Sequence, residues 1–274
     1  MPLIITATDF SDAANYALEY SCMLANAVKA DVVVLHSYTV PVSVGDNPMP
    51  MMSVEECRQI AEKAMMQLTD KLTVTFNDVR INGIVMFGDI TEVIQDYAAQ
   101  NKPWLIVIGN SISNEESVWY SGNMMSMLRS LPYPVLAVPE GCLYSPVSKI
   151  CFACDYKKET EGLPLISIAN MATTLGSQLH VLNIDHDNAN FNAETPEISE
   201  ILHEKLKAAN PQYHYADAKE TDTAIIDFVN TNHINWLVVA PHKHSFIESL
   251  FRKSHTKELA KHINVPLLAL HADL

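Results

Sequence analysis

The chain repeats itself. WLIVIGNS stands at Trp104 and WLVVAPHK at Trp236, and the apolar segments PVLAVP from Pro134 and PLLALH from Pro266 follow each by thirty residues. Both pairs lie 132 residues apart, so one pattern recurs in register. Upstream, IITATDFSD (4–12) is answered by KICFACDYK (149–157), each an apolar run followed by an aspartate, Asp9 and Asp155. Between the copies, PEGCLYSPVS (139–148) carries two prolines and a glycine and reads as a linker. The expected units are residues 1–140 and 146–274.

Each copy alternates strand and helix. In the first, LIITAT is a strand and Ser11 a helix N-cap, with Ala14, Ala17, Leu18, Leu24, Ala25 and Val28 sharing a face. DVVVLHSY is the continuous apolar strand of a sheet covered on both sides. Ser53 and Glu56 form a capping box opening a helix with Ile60, Ala64, Leu68 and Leu72 on its apolar stripe. INGIVMFG, ITEVIQDYAAQ, WLIVIG, NMMSMLRSL and PVLAVP complete the unit. The second runs KICFACD, LPLISIANMATTLG, QLHVLNI, PEISEILHEKLKAA, YHYADA, TAIIDFVNTN, WLVVA, SHTKELAKHI and PLLALH. Such alternation predicts an α/β fold of two doubly wound, five-stranded parallel sheets with right-handed crossovers.

Composition narrows the function classes. Hydrophobic residues are 48% and charged ones 18%, which is a globular and not a disordered balance. The net charge of −14 repels phosphate backbones and anionic lipid heads, so neither nucleic acid nor a membrane surface is an expected partner. No apolar run approaches the roughly 18–20 residues that span a bilayer. MPLIITATDFSD lacks a basic leader region. A soluble cytoplasmic protein is expected. The five cysteines are odd in number and scattered, which is no disulfide framework. Cys151 and Cys154 form a CxxC, but on a strand, where residues three apart face opposite ways and cannot share a metal.

Taken together, ATDFSDAANYALEYSCMLA, VVVLHSY, WLIVIG and SLPYPVLAVP, with their echoes in the second copy and SFIESLFRKSHTKELAKHINVPLLAL, resemble a tandem universal stress protein over nearly the whole chain. The resemblance implies a flavodoxin-like, adenine nucleotide alpha hydrolase-like fold forming an intramolecular pseudo-dimer. It also implies that the fifth strands pair antiparallel, edge to edge. Many members bind ATP at the carboxyl ends of the strands through Gly-x-x-Gly, nine residues, then Gly-Ser or Gly-Thr. Others lack the motif. ATP is therefore the one cofactor the resemblance offers.

Carried over by position, the resemblance makes Asp9 and Ser37 adenosine contacts and Gly109 the first motif glycine. Ile112 stands where the second glycine belongs. The closing pair is Ser121-Gly122 or Gly122-Asn123, depending on the direction of counting. In the second copy Asp155 and Ile184 match the adenosine positions, Pro241 and His244 replace the glycines, and Lys253-Ser254 or Ser254-His255 ends the loop.

Physically, those departures weaken a phosphate cradle. A β-branched Ile112 disfavours the backbone that turns N–H groups toward an anion, and Glu115 and Glu116 add negative charge beside it. The helix N-terminus near Asn123, worth about 0.3–1 kcal/mol to an exposed anion, does not readily offset both. Residues 242–262 carry Lys243, Arg252, Lys253, Lys257 and Lys261 against Glu248 and Glu258, a basic island open to two readings: a solvated face or a small-anion site on Lys243, Arg252 and Lys253. His242, His244, His255 and His262 lack the carboxylate or cysteine partners of a metal site, and His36 and His180 read as core histidines. Met65, Met66, Met124, Met125 and Met127 read as core filler.

No GxSxG, HExxH or Ser-His-Asp order supports an enzyme, so no catalytic residue is assigned and weak ATP hydrolysis is the only activity in view. The leading expectation is a non-enzymatic stress-response protein with degenerate nucleotide loops in both halves, acting through a protein partner or small ligand and able to pair further as a homodimer. The rivals are an adenine-nucleotide sensor and an anion receptor.

Overall fold

The structure is a computed structural model that describes residues 1–40, 52–111, 124, 126–154, 163–185, 195–217, 221–240 and 264–271. The first half runs β1 (Leu3–Ala7), α1 (Asp12–Val28), β2 (Asp31–Tyr38), α2 (Val54–Thr75), β3 (Ile81–Phe87), α3 (Ile90–Asn101), β4 (Leu105–Asn110), the helical residues 126–130 (α4) and β5 (Val135–Pro139). The second runs β6 (Lys149–Cys154), α5 (Leu165–Leu175), β7 (Gln178–Asp185), α6 (Thr195–Leu206), β8 (Gln212–Asp217), α7 (Thr221–Thr231), β9 (Trp236–Val239) and β10 (Leu267–Ala269).

The strands hydrogen-bond in the order β3-β2-β1-β4-β5-β10-β9-β6-β7-β8. Each half is a five-stranded parallel sheet, and the halves join through the antiparallel pair β5–β10, with Leu268 opposite Leu136. Two apolar edges thereby cover each other, as the resemblance implied.

Helices clothe both faces. α1, α2, α5 and α6 pack on one face, where one buried cluster runs from Ile4 and Leu18 through Phe152 to Trp236 and Leu202. α3, α4 and α7 cover the other, with Ile94, Leu128 and Ile225 in a second cluster. Cys151 belongs to the second cluster and Cys154 to the first, so the CxxC sulfurs do point apart.

Local chemistry sets the boundaries. Ser11 caps α1 by accepting from Ala14 N, and Lys29 closes it in the left-handed region. Ser53 and Glu56 make the expected capping box reciprocally. Asp89 caps α3 by accepting from Thr91 N and Glu92 N.

Two expectations shift by one residue. On α2 the buried residues are Ala61, Met65 and Leu72, while Ile60 is 58% exposed. Met65 sits over Gly83 of β3, where an added Cβ would come within 2.6 Å of the Met65 side chain. The repeat offset also differs. Trp104 N donates to Leu3 O as Asn235 N donates to Lys149 O, and Ile106 N donates to Pro134 O as Leu237 N does to Pro266 O. Trp104 therefore corresponds to Asn235, and Trp236 to Leu105. Of the five methionines expected as core filler, Met65, Met124 and Met127 are buried, Met66 is 59% exposed, and Met125 lies outside the described residues.

Candidate functional site

In the first half β1 lies between β2 and β4. The chain leaves β1 toward β2 and leaves β4 toward β5, so their carboxyl ends form the crevice where an open α/β sheet takes ligands. Asp9 follows β1, Ser37 is the penultimate residue of β2, and Gly109 lies near the end of β4. The fold thus gathers these three sequence-assigned residues at one end of the sheet.

The turn after β1 is tightly tied. Asp9 Oδ1 accepts from Ser11 N at 2.9 Å, and Thr8 Oγ1 accepts from Phe10 N at 3.0 Å. Phe10 takes a left-handed φ of 66°, unfavourable for a bulky residue, and its ring packs on His36 with centroids 4.5 Å apart. His36 Nδ1 lies 2.7 Å from the Thr8 carbonyl oxygen, so that nitrogen carries the proton. Burial holds the His36 pKa below its ordinary value, against the opposing pull of the Thr8 carbonyl and the Asp9 charge. The Asp9 side chain is exposed, whereas Ser37 of β2 is buried.

Gly109 has a packing role that the sequence did not announce. A Cβ there would lie 2.6 Å from the Ala13 carbonyl oxygen and 2.7 Å from its carbonyl carbon. The first turn of α1 rests on the end of β4, and only glycine permits that approach. The corresponding residue in the second half is Ala240, which is buried, and not the Pro241 expected from the sequence.

The second half keeps less of the site. Ile184, the counterpart of Ser37, is buried and apolar. Asp155, Ser254, Lys243, Arg252 and Lys253 lie outside the described residues, as do Ser121, Gly122, Asn123, Ile112, Glu115 and Glu116 of the first half. A groove of about 500 Å³ opens along α1 and α2, lined in part by Asp12, Tyr16, Glu19, Lys71, Phe76 and Glu140. Neither Asp9, Ser37 nor Gly109 lines it, so this groove is distinct from the strand-end crevice.

The profile of the Universal stress protein family matches residues 2–139 and again 147–271. The chain belongs to the universal stress protein family. No curated protein matches it. Among solved structures it resembles a universal stress protein from Archaeoglobus fulgidus DSM 4304, with TM-score 0.70 and 13% identity over 98% of this chain and 97% of that one. It also resembles a putative universal stress protein from Pseudomonas aeruginosa UCBPP-PA14, with TM-score 0.62 and 13% identity over 98% and 93% of the two chains. The cytoplasmic domain of a prokaryotic cation chloride cotransporter shares the architecture at TM-score 0.53 and 8% identity, over 99% of this chain and 95% of that one. At such identities these likenesses establish fold and not ligand. Among the described residues no helix is long and apolar enough to cross a membrane.

Proposed function

We propose that this tandem universal stress protein is a non-enzymatic, cytoplasmic stress-response protein. Residues 1–140 and 146–274 are its two units, and it acts by binding a protein partner or a small ligand. The observation that supports this reading is the contact at Gly109. The one motif glycine in the described part of the site is accounted for by the backbone of Ala13. Around it, Asp9 Oδ1 is engaged by Ser11 N, and the Phe10 ring packs on the His36 ring. The bulky Ile112 and the acidic pair Glu115-Glu116 in the following loop further disfavour a triphosphate.

A second reading, an adenine-nucleotide sensor in the first half, draws on the exposed Asp9 carboxylate beside the crevice between β1 and β4. Native mass spectrometry of protein purified without added ligand separates the two. The leading reading expects no adenine nucleotide carried through purification. ATP or AMP retained at one per chain would favour the sensor.

A further inference from the structure

One buried polar cluster lies away from the strand-end crevice, toward the amino-terminal ends of β7 and β8. His180 of β7 and His214 of β8 face the same side of the sheet as Leu182 and Ile184. His180 Nδ1 lies 2.9 Å from His214 Nε2, and the rings stack with centroids 5.1 Å apart and 22° between planes. Phe228 of α7 sets its edge against both, at 6.3 Å from His180 and 4.8 Å from His214. His180 is only 5% exposed, and its Nε2 has no partner.

The surroundings favour neutral rings. From β6, Lys149 faces the pair electrostatically, with its Nζ donating to Asn232 O at 2.8 Å, and the buried Cys151 thiol is the ladder neighbour of His180. From β8 the ladder neighbour is uncharged Gln212. From α7 comes the Phe228 ring, while Asp227 on that helix and His233 after it are exposed. His203 and Tyr213 meet each other, with Tyr213 packed against the cluster on the opposite face of the sheet. Among the described residues no carboxylate pairs with either ring. Burial lowers the pKa of both histidines, and for His180 the neighbouring ring and Lys149 add to it.

We propose that the His180–His214 pair is a proton-operated latch that holds the edge strand β8 and helix α7 against β7. One N–H···N bond joins the neutral rings, and a single added proton on the half-buried His214 ring can still be shared across it. A second proton cannot. Two imidazolium rings would then stand face to face with donors on every nitrogen and no acceptor between them. β8 is hydrogen-bonded on one side only, being the last strand of the sheet, so it is the element free to move away. The sign follows directly. Both folded-state pKa values lie below the unfolded value of about 6.5, so the unfolded or opened state binds more protons between them. Stability is fully present above about pH 6.5 and is lost as pH falls through that window.

The test compares the full-length protein with the His180→Leu, His214→Leu double variant in urea unfolding from pH 7.5 to 4.5. The wild-type unfolding constant should rise more steeply as pH falls, by up to about tenfold per pH unit for each extra proton taken up. The double variant should lose that excess while His36 and His271 still titrate in both. Equal pH slopes in the two proteins overturn the latch. Should the variant not fold, amide exchange on the wild type decides. Acid-dependent loss of protection concentrated in β8 and α7 supports the proposal, and loss that is uniform or concentrated in the first half overturns it.

Discussion

The indole Nε1 of Trp236 donates to the hydroxyl of Tyr20 at 2.6 Å, across 216 residues of sequence. Tyr20 belongs to α1 of the first half and Trp236 to β9 of the second, and both are buried. Tyr144, in the linker between the halves, sets its edge against Tyr20 at 5.2 Å and 78°. Burial raises the Tyr20 pKa, so the phenol stays protonated and the pair remains a neutral hydrogen bond. With the β5–β10 ladder, this contact makes the two copies one packed body.

Tyr20→Phe should therefore weaken the whole protein. It strands a buried indole N–H, at a cost of about 1–3 kcal/mol. Urea unfolding followed by tryptophan fluorescence and by circular dichroism should give one shared transition at a lower midpoint. A double-mutant cycle with Trp236→Phe should show coupling of roughly 0.5–3 kcal/mol. Two separate transitions in the wild type would contradict the packing described here.

Gly109→Ala tests the packing role of that glycine. The new methyl meets the Ala13 backbone, not a flexible side chain, so the helix must shift. Overpacking of this kind costs about 1–3 kcal/mol. The thermal midpoint should fall whether or not nucleotide is present. An unchanged midpoint would return Gly109 to a purely ligand-facing role.

His36 gives the first half its own pH dependence. Its folded pKa lies below the unfolded value, so its contribution is complete above about pH 6.5 and declines as pH falls. The corresponding residue in the second half is Asn183, which is buried and does not titrate. His36→Asn should thus flatten the acid side of the stability curve, and calorimetry at several pH values would show it.

The order of elements was legible in the sequence because alternation, caps and apolar strands are local signals. Ser11, the Ser53–Glu56 box and the opposed cysteines of the CxxC all lie where local reasoning puts them. Details that depend on which surface meets which were not legible. Ile60 is the more apolar residue, yet Ala61 is buried, because α2 is set down where Gly83 admits Met65. Trp104 and Trp236 look like equivalents, but the hydrogen bonds make Trp104 the counterpart of Asn235. Trp236 is freed from that role to bridge the halves. His180 reads from sequence as a satisfied core histidine, whereas its Nε2 has no partner and its other nitrogen depends on His214, 34 residues away.

Calorimetric titration of the purified protein with ATP and Mg²⁺, beside the Asp9→Ala variant, tests the central claim most directly. A chain whose crevice glycine serves helix packing and whose loop carries Ile112 and two glutamates should give no saturable micromolar heat, and the two proteins should behave alike. Stoichiometric micromolar binding that disappears in Asp9→Ala would contradict the account and make this a nucleotide sensor.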